Sequence, residues 1–277
     1  MIKYIVISTL SLLLLTRCNS NKSEETPINF GSETYDSTAL HVALVPNREC
    51  LPIYYAQQQG IFKRLGLNLQ IATYSSALEC DTAILNKHAD GGIMDRERYD
   101  SYGSRTQNLD IAWKANAPLQ IFACHALRIK SIKNLEGRTV GIARQSIDEI
   151  VLKQVLKQAN IDEGNIYLPQ INNMKLRTEM LSTNQIDAAV LTWPYSTLAQ
   201  THNHNLLYTY KDSTDYIYFV QNKTNPQKPQ TKEQWKLFEQ GRKMAIDSLK
   251  VFGNQAYSNI LQQQYGLSKE LADSITY

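Results

Sequence analysis

The segment from Leu135 to Leu156 constrains the fold of this chain more than any other. Thr139 to Ile142 is a β-favouring run after Gly137, and it predicts a short strand. After a tight loop, Ser146 stands where a helix N-cap belongs, and Glu149 three residues later completes the pattern of a capping box. Apolar residues then recur at helical spacing. A strand that leads through a loop into a helix leaves backbone N–H groups facing a crevice, although an ordinary βα unit has the same pattern.

Three further segments extend this pattern. Gln185 to Tyr195 predicts a buried strand that ends on Trp-Pro-Tyr, with the proline at the start of the next helix. Asn86 to Met94 has a similar form, and Ile53 to Phe62 is an apolar helical stretch followed by a glycine and an aromatic residue. In this order the four segments resemble the periplasmic solute-binding proteins of ABC importers, in particular the group that binds nitrate, alkylsulfonates, taurine and thiamine precursors. The resemblance covers residues 40 to 275.

Predicted strands alternate with predicted helices from His41 onward, which favours an α/β fold with parallel sheets covered by helices. The resemblance implies the type II periplasmic-binding-protein fold, with two lobes that are each a mainly parallel, doubly wound sheet. We assign residues 40–124 and 215–277 to the first lobe and residues 125–214 to the second. The resemblance implies two hinge crossings, near residues 116–124 and 211–216.

The N-terminus predicts export. Residues 1–17 contain a short apolar stretch close to the start, which is typical of a signal peptide and too short for a spanning helix. Cys18 resembles the acylated cysteine of bacterial lipoproteins, although Arg17 stands where that pattern has a small residue. We therefore expect a lipid anchor at Cys18, with a plain secreted form as the alternative. Residues 18–39 are rich in Ser, Asn, Glu and Thr and predict a flexible tether.

The charge of the chain argues against nucleic acid or an acidic polymer as a partner. Removing residues 1–17 takes away Lys3 and Arg17, which leaves 27 basic and 26 acidic residues and a net charge of +1. The remaining chain is long enough for two modest lobes.

The loops at the C-terminal ends of the strands are the expected ligand contacts, because ligands of such folds bind there. The candidate ligand-binding residues are Asn47, Glu49, Cys50, Ser75, Ser76, Asp95, Asn116, Arg144, Ser146, Trp193 and Tyr195. Ser75, Ser76 and Ser146 at predicted helix starts suit an anionic or strongly polar group. Trp193 and Tyr195 offer a flat surface for an apolar or aromatic body. Each serine is equally compatible with a plain helix cap, and Trp193 with core packing.

The same loops are also acidic. Glu49, Glu79, Asp81 and Asp95 would suit a cationic ligand better than a sulfonate. Charged loop residues are more often solvated than bound to a ligand. Composition therefore leaves the charge of the ligand open.

Cys50 and Cys80 follow strands that should be neighbours in the first sheet. In an oxidising compartment they are candidates for a disulfide. The alternatives are unpaired thiols, or thiolates that bind a metal or a thiophilic ligand together with Cys124 and His125. Because the sequence has no Cys-x-x-Cys or His-x-x-x-His spacing, we predict no metal and no cofactor.

The sequence contains no nucleophile elbow, P-loop or dinucleotide fingerprint. His202 and His204 lie two positions apart, so they would not share a helix face and are not predicted as ligands. His41, His88 and His125 show no partner in the sequence.

The resemblance implies a monomeric, lipid-anchored binding protein of the cell envelope that faces the periplasm or the exterior. It would close two lobes on a small polar organic solute and deliver it to an ABC permease and its ATPase. Two alternatives remain: an enzyme on the same fold, of the pyrimidine-precursor synthase or small-molecule lyase type, and a ligand-sensing lipoprotein. Fold alone does not separate them.

Overall fold

The computed structural model describes residues 35–211, 214–223 and 231–277. The predicted signal peptide, Cys18 and residues 18–34 of the predicted tether lie outside these ranges. The strands are β1 (Leu40–Leu44), β2 (Leu69–Thr73), β3 (Gly91–Asp95), β4 (Leu109–Ala115), β5 (Leu119–Ala123), β6 (Val140–Gly141), β7 (Ala188–Leu191), β8 (Asn205–Tyr210) and β9 (Ile217–Asn222). The α-helices are α1 (Leu51–Gln58), α2 (Ile61–Arg64), α3 (Ala77–Leu85), α4 (Arg96–Ser101), α5 (Ile147–Gln158), α6 (Met174–Ser182), α7 (Tyr195–Thr201), α8 (Thr231–Phe252), α9 (Ser258–Tyr265) and α10 (Lys269–Ser274).

The strands form two sheets. The first has the order β2-β1-β3-β9-β4, and the second has the order β6-β7-β5-β8. Residues Tyr167 and Gln170 form parallel bridges to Thr139 and Ile142, which extends the second sheet beyond β6. In each sheet one inner strand runs against the others: β9 is antiparallel to β3 and β4, and β5 is antiparallel to β7 and β8.

The two sheets therefore have the same topology: in each, the antiparallel strand is the first one after the chain crosses from the other lobe. β5 follows β4 from the first sheet, and β9 follows β8 from the second. This two-lobed α/β arrangement confirms the predicted fold class. The remaining strands of each sheet run in one direction, and the antiparallel strand, β9 or β5, directly follows a crossing between the lobes.

The position of β5 corrects the predicted lobe boundary. We assigned residues 40–124 to the first lobe, but Leu119–Ala123 pairs with β7 and β8 in the second sheet. Residues 116–118 separate β4 from β5, so the first crossing is shorter than predicted. An apolar strand gives no local sign of which of two sheets it will join, because either offers it the same backbone hydrogen bonds.

The last residues of the predicted tether are also part of the folded lobe. Ala39 is completely buried. The carboxylate of Asp36 accepts a hydrogen bond from Asn68 Nδ2 at 2.8 Å, and the Asp36 backbone N–H donates to Gln70 Oε1 at 3.0 Å. Residues 35–39 thus pack beside β2, which polar composition alone did not predict.

Helix α8 covers the first sheet, within the segment 215–277 that we assigned to the first lobe. Phe238 stacks on Phe62 at a centroid distance of 5.4 Å and on Phe219 of β9 at 5.3 Å. Close approach requires glycine at several positions: for example, a Cβ atom on Gly241 would lie 2.6 Å from the Phe62 ring, and one on Gly92 would lie 2.1 Å from the Ala43 carbonyl oxygen. Within the described residues, no helix combines the length and the apolar character that crossing a membrane requires.

A buried arginine holds the cleft side of the second lobe together. Arg177 of α6 is 1% exposed. Its Nη1 donates to Asp148 Oδ2 at 2.7 Å and to the Val190 carbonyl, while Nε and Nη2 donate to the Ile171 carbonyl at 3.0 and 2.8 Å. One guanidinium therefore joins α5, α6 and β7.

Replacing Arg177 with Ala should destabilise the protein strongly. The change leaves Asp148 and two carbonyls buried without their donor, which typically costs about 3–5 kcal/mol. Urea denaturation measures this loss. The matched control is Arg138→Ala, because Arg138 lies 3.8 Å from Asp187 at an exposed position where such pairs contribute about 0–1 kcal/mol. Equal losses in the two variants would contradict the assigned role of Arg177.

Candidate ligand-binding site

A cavity of about 130 Å³ lies between the lobes. Its walls come from loops after β1, β2 and β3 in the first lobe and after β6 and β7 in the second, as expected for strand C-terminal ends. The predicted residues that line it are Asn47, Glu49, Ser75, Ser76, Asp95, Ser146, Trp193 and Tyr195. That they bind a ligand stays a prediction.

Three predicted residues do not line the cavity. Cys50 is completely buried in the turn before α1. Arg144 turns away, because its Nη2 donates to the Leu168 carbonyl at 2.8 Å. Asn116 lies in the first crossing, outside the cavity wall, and its neighbour Ala117 takes that place.

The structure adds cavity residues that the sequence did not single out. They include the Asp148–Arg177 pair and Tyr216, whose hydroxyl donates to the Ala117 carbonyl. This contact joins the two crossing segments to each other. Tyr216 precedes β9 at the end of the predicted crossing 211–216. Its place in that crossing was the only sequence feature that could have indicated a position beside the cavity.

The N-terminus of α5, predicted as an anion site, is closed by carboxylates of the protein. The Ile147 N–H donates to Asp95 Oδ2 at 3.2 Å across the cleft. Ser146 caps the helix by accepting from the Asp148 N–H at 3.2 Å, and the Gln145 N–H donates to Glu149 at 2.7 Å. The expected Ser146–Glu149 capping box is thus displaced by one residue, since Glu149 reaches the N–H of Gln145. Asp95 occupies the position where a ligand anion would bind.

The start of α3 is closed in the same way. Ser76 caps the helix by accepting from the Glu79 N–H at 3.4 Å, and Glu79 Oε2 accepts from the N–H groups of Ser75 and Ser76 at 2.9 and 3.2 Å. The Ser75 hydroxyl also donates to Glu79. These serines therefore act as helix-start residues in the structure.

The sequence model of the family described as "NMT1/THI5 like" matches residues 47–261, which is most of the chain. The protein belongs to the NMT1/THI5-like family. A comparison with curated protein sequences gave no significant match.

Solved structures share the fold of this family member at low sequence identity. The alkanesulfonate-binding protein SsuA from Xanthomonas axonopodis pv. citri, bound to MOPS, is 15% identical, with a TM-score of 0.68 over 87% of this chain and 83% of that one. The periplasmic nitrate-binding protein NrtA from Synechocystis PCC 6803 is 12% identical, with a TM-score of 0.68 over 84% and 68%. The aliphatic sulphonate-binding protein SsuA from Escherichia coli is 15% identical, with a TM-score of 0.63 over 86% and 82%.

In this NMT1/THI5-like protein the two predicted aromatic contacts lie where the lobes meet. Trp193 lines the cavity and its ring packs edge-on against Tyr265 at 5.8 Å and Tyr277 at 6.4 Å. The Trp193 indole Nε1 is buried and donates to no group that the structure describes. Tyr195 is 3% exposed, and its hydroxyl donates to the Tyr265 carbonyl at 3.1 Å. Tyr195 therefore joins α7 to α9, whereas Trp193 keeps a polar atom without a partner.

The first-lobe cysteines are free thiols. Cys50 and Cys80 are both completely buried and form no disulfide in the structure. Burial raises the pKa of each thiol well above its usual value, so the thiolate form is disfavoured. Of the three alternatives left open by the sequence, the structure has the unpaired thiols.

Glu49 and Asp95 are the perturbed acids of the site. Burial raises the pKa of Glu49 to about 7 and that of Asp95 to about 6, where the nearby Asp148 charge also contributes. Glu49 Oε2 is buried and accepts no hydrogen bond from the residues that the structure describes. An oxygen in this state is costly unless a ligand completes it.

We expect stability to fall as pH rises from about 4.5 to 7, and Glu49→Gln to reduce this fall. The folded protein keeps the Glu49 proton up to about pH 7, whereas an unfolded glutamate loses it near pH 4.3, so folding takes up a proton in this window. The effect is on the order of 1–3 kcal/mol. Melting temperatures at pH 5 and pH 8 measure it, with surface Glu233→Gln as the control. If Glu49→Gln kept the full pH dependence, the carboxyl would not be buried as described.

Proposed function

We propose that this chain is the solute-binding component of an ABC importer. Membership of the NMT1/THI5-like family, the two-lobed fold and a cavity between the lobes support this role. The two lobes would close on a small solute and present it to a membrane permease. The size of the cavity suits a small molecule.

We further propose that the solute is a small organic cation or a neutral, donor-rich heterocycle such as an aminopyrimidine. The observation that carries this is the buried Glu49 Oε2 without a hydrogen-bond donor. The anion positions at the starts of α3 and α5 are already filled by Glu79 and Asp95. A nitrate or sulfonate placed there would meet carboxylates instead of open N–H groups.

The cations of the cavity wall do not reverse this argument, because each has a partner within the protein. The pairs are Arg98 with Asp81, Arg177 with Asp148, Lys175 with Glu179, and Arg48 with the Tyr277 ring. Glu49 forms no ion pair among the described residues, and the Arg48 charge lowers its pKa by less than burial raises it. A ligand cation would supply a partner, and an acceptor atom on the same ligand would complete Trp193 Nε1.

Binding is favoured over catalysis by the cavity wall. Its described lining contains no histidine and no cysteine. The Thr192 and Ser146 hydroxyls bond to groups that cannot act as a general base, Met174 Sδ at 3.3 Å and the Ala143 carbonyl at 2.8 Å. The Ser75 hydroxyl donates to the Glu79 carboxylate, but that carboxylate already accepts from the N–H groups of Ser75 and Ser76 as part of the helix start.

The ligand class is tested with four probes: an aminopyrimidine, an alkylamine, an alkanesulfonate and nitrate. We expect one of the first two, and neither anion, to raise the melting temperature. Glu49→Gln should weaken the binding of that probe by roughly 10- to 100-fold, because a hydrogen bond to a charged group contributes about 1.5–3 kcal/mol. Calorimetric titration measures the change, and Glu233→Gln serves as the control.

The pH dependence of the same titration adds a second readout. Binding of a cation should weaken as pH falls from 7 to 5, because Glu49 and then Asp95 take up protons. Stabilisation by the alkanesulfonate or nitrate, unaffected by Glu49→Gln, would contradict the proposed ligand class while leaving the binding role intact.

The lipid anchor belongs to the proposal as well. It rests on Cys18 directly after a short apolar segment. Cys18→Ser should move the protein from the membrane fraction to the soluble fraction, as measured by fractionation and immunoblotting. A variant that stays in the membrane fraction like the parent would contradict acylation at Cys18, and Lys3→Gln provides a control with the cysteine intact.

A further inference from the structure

The second lobe contains a cluster of one cysteine and two histidines on the edge opposite the ligand cavity. Leu119 at the start of β5 lines the cavity. Because β5 runs antiparallel to its neighbours, Cys124 and His125, which follow its last residue, lie at the end of the sheet opposite the cavity. His204 stands just before β8, which pairs with β5 there. The sequence offers Cys124 and His125 only as companions of Cys50 and Cys80, and it does not predict His204 as a ligand. Neither histidine is helical, however, and strand pairing brings the two together.

The donor atoms of this cluster are close enough for one metal ion. One ligand atom from each of Cys124, His125 and His204 lies within 4.8 Å of the other two. Tetrahedral zinc with its usual bond lengths places sulfur and nitrogen ligands about 3.5 Å apart. Side-chain rotations that move each ligand atom by about 1 Å would therefore complete the site. Cys124 and His204 are buried and His125 is exposed, which leaves a path for an ion from solvent.

The surrounding residues orient the ligands as a second shell does. Ser182 Oγ lies 3.1 Å from His204 Nε2 and also 3.1 Å from His202 Nδ1. This leaves the lone pair on His204 Nδ1, which accepts a hydrogen bond from the His125 backbone N–H at 3.2 Å. The Cys124 thiol donates to Asn184 Oδ1 at 2.6 Å, so the Asn184 amide must turn its Nδ2 toward the sulfur when the thiolate forms. Outer contacts of this kind fix the ring orientation and tautomer of metal-binding histidines.

We propose that Cys124, His125 and His204 form a zinc site, with water as the fourth ligand. A thiolate with two imidazoles is a donor set that zinc favours, and oxygen-preferring magnesium or calcium does not. On binding, the Cys124 thiol releases its proton to solvent and the His125 N–H loses its bond to His204 Nδ1. This site is separate from the solute cavity and does not depend on the proposed transport role.

The experiment uses the full chain carrying Cys18→Ser, which removes a thiol outside the cluster. After treatment with a chelator, the protein is titrated with Zn²⁺ against a chromophoric competitor and separately with Co²⁺. We expect one Zn²⁺ per chain. With Co²⁺ we expect the intense visible bands of tetrahedral cobalt and a thiolate-to-cobalt charge-transfer band.

Two variants and two controls decide the assignment. Cys124→Ser should abolish the charge-transfer band, and His125→Ala, at an exposed position where folding is not at risk, should weaken Zn²⁺ binding by more than about 100-fold. Glu233→Gln, at an exposed position far from the cluster, and Cys80→Ser, another buried thiol, should bind like the parent. The proposal is overturned if the parent binds no Zn²⁺, or if His125→Ala binds it as tightly as the parent.

Discussion

The Asp95 carboxylate is the contact on which the cleft depends, because its two oxygens serve helices of different lobes. Oδ1 accepts from the Glu97 N–H at 2.9 Å and starts α4, whereas Oδ2 accepts from the Ile147 N–H at 3.2 Å and holds the start of α5. Helix N-termini favour negative charge, so this residue supplies within the protein what an anionic solute would otherwise supply. The start of α5, which most resembles an anion site, therefore has its N–H group already bonded to Asp95. The other acids of the cavity wall then determine how acidic the cavity is.

Two acids of the cavity wall, Asp148 and Glu49, differ in whether the protein itself supplies a partner for the carboxyl group. Asp148 is buried against Arg177, whose remaining donors are satisfied by carbonyl groups, so the pair is complete without a ligand. Glu49 forms no ion pair in the described part of the chain, and burial raises its pKa to about 7 against the opposing effect of the Arg48 charge. Removing one partner of a buried pair is costly, and a carboxyl group buried without a hydrogen-bond donor also lowers stability. Asp148 therefore belongs to the scaffold, whereas Glu49 is the acid that we propose a ligand completes.

The sequence predicted local structure well because helix and strand periodicity are local properties. The predicted strand from Thr139 to Ile142 is observed at Val140–Gly141 with bridges at Thr139 and Ile142, and the buried strand predicted within Gln185 to Tyr195 is observed at Ala188–Leu191. The same reasoning placed most candidate residues on the cavity wall, since loops after parallel strands share one edge. It could not show that Asp95 would contact Ile147, 52 positions later, or that His125 would contact His204, 79 positions later. Such contacts depend on strand order and direction, which short crossings determine.

The reversal of β5 connects the two sites of the second lobe. β5 begins just after the first crossing and β8 ends just before the second, so the cleft-facing ends of both strands lead into the hinge. Their opposite ends meet at the cluster, where Cys124 and His125 follow β5 and His204 precedes β8. A metal ion at the proposed site would hold the two strands in one register. The proposed zinc site and the two crossings thus lie at opposite ends of the same strand pair, so that a bound ion would fix one end of the pair while the other end leads into the first lobe.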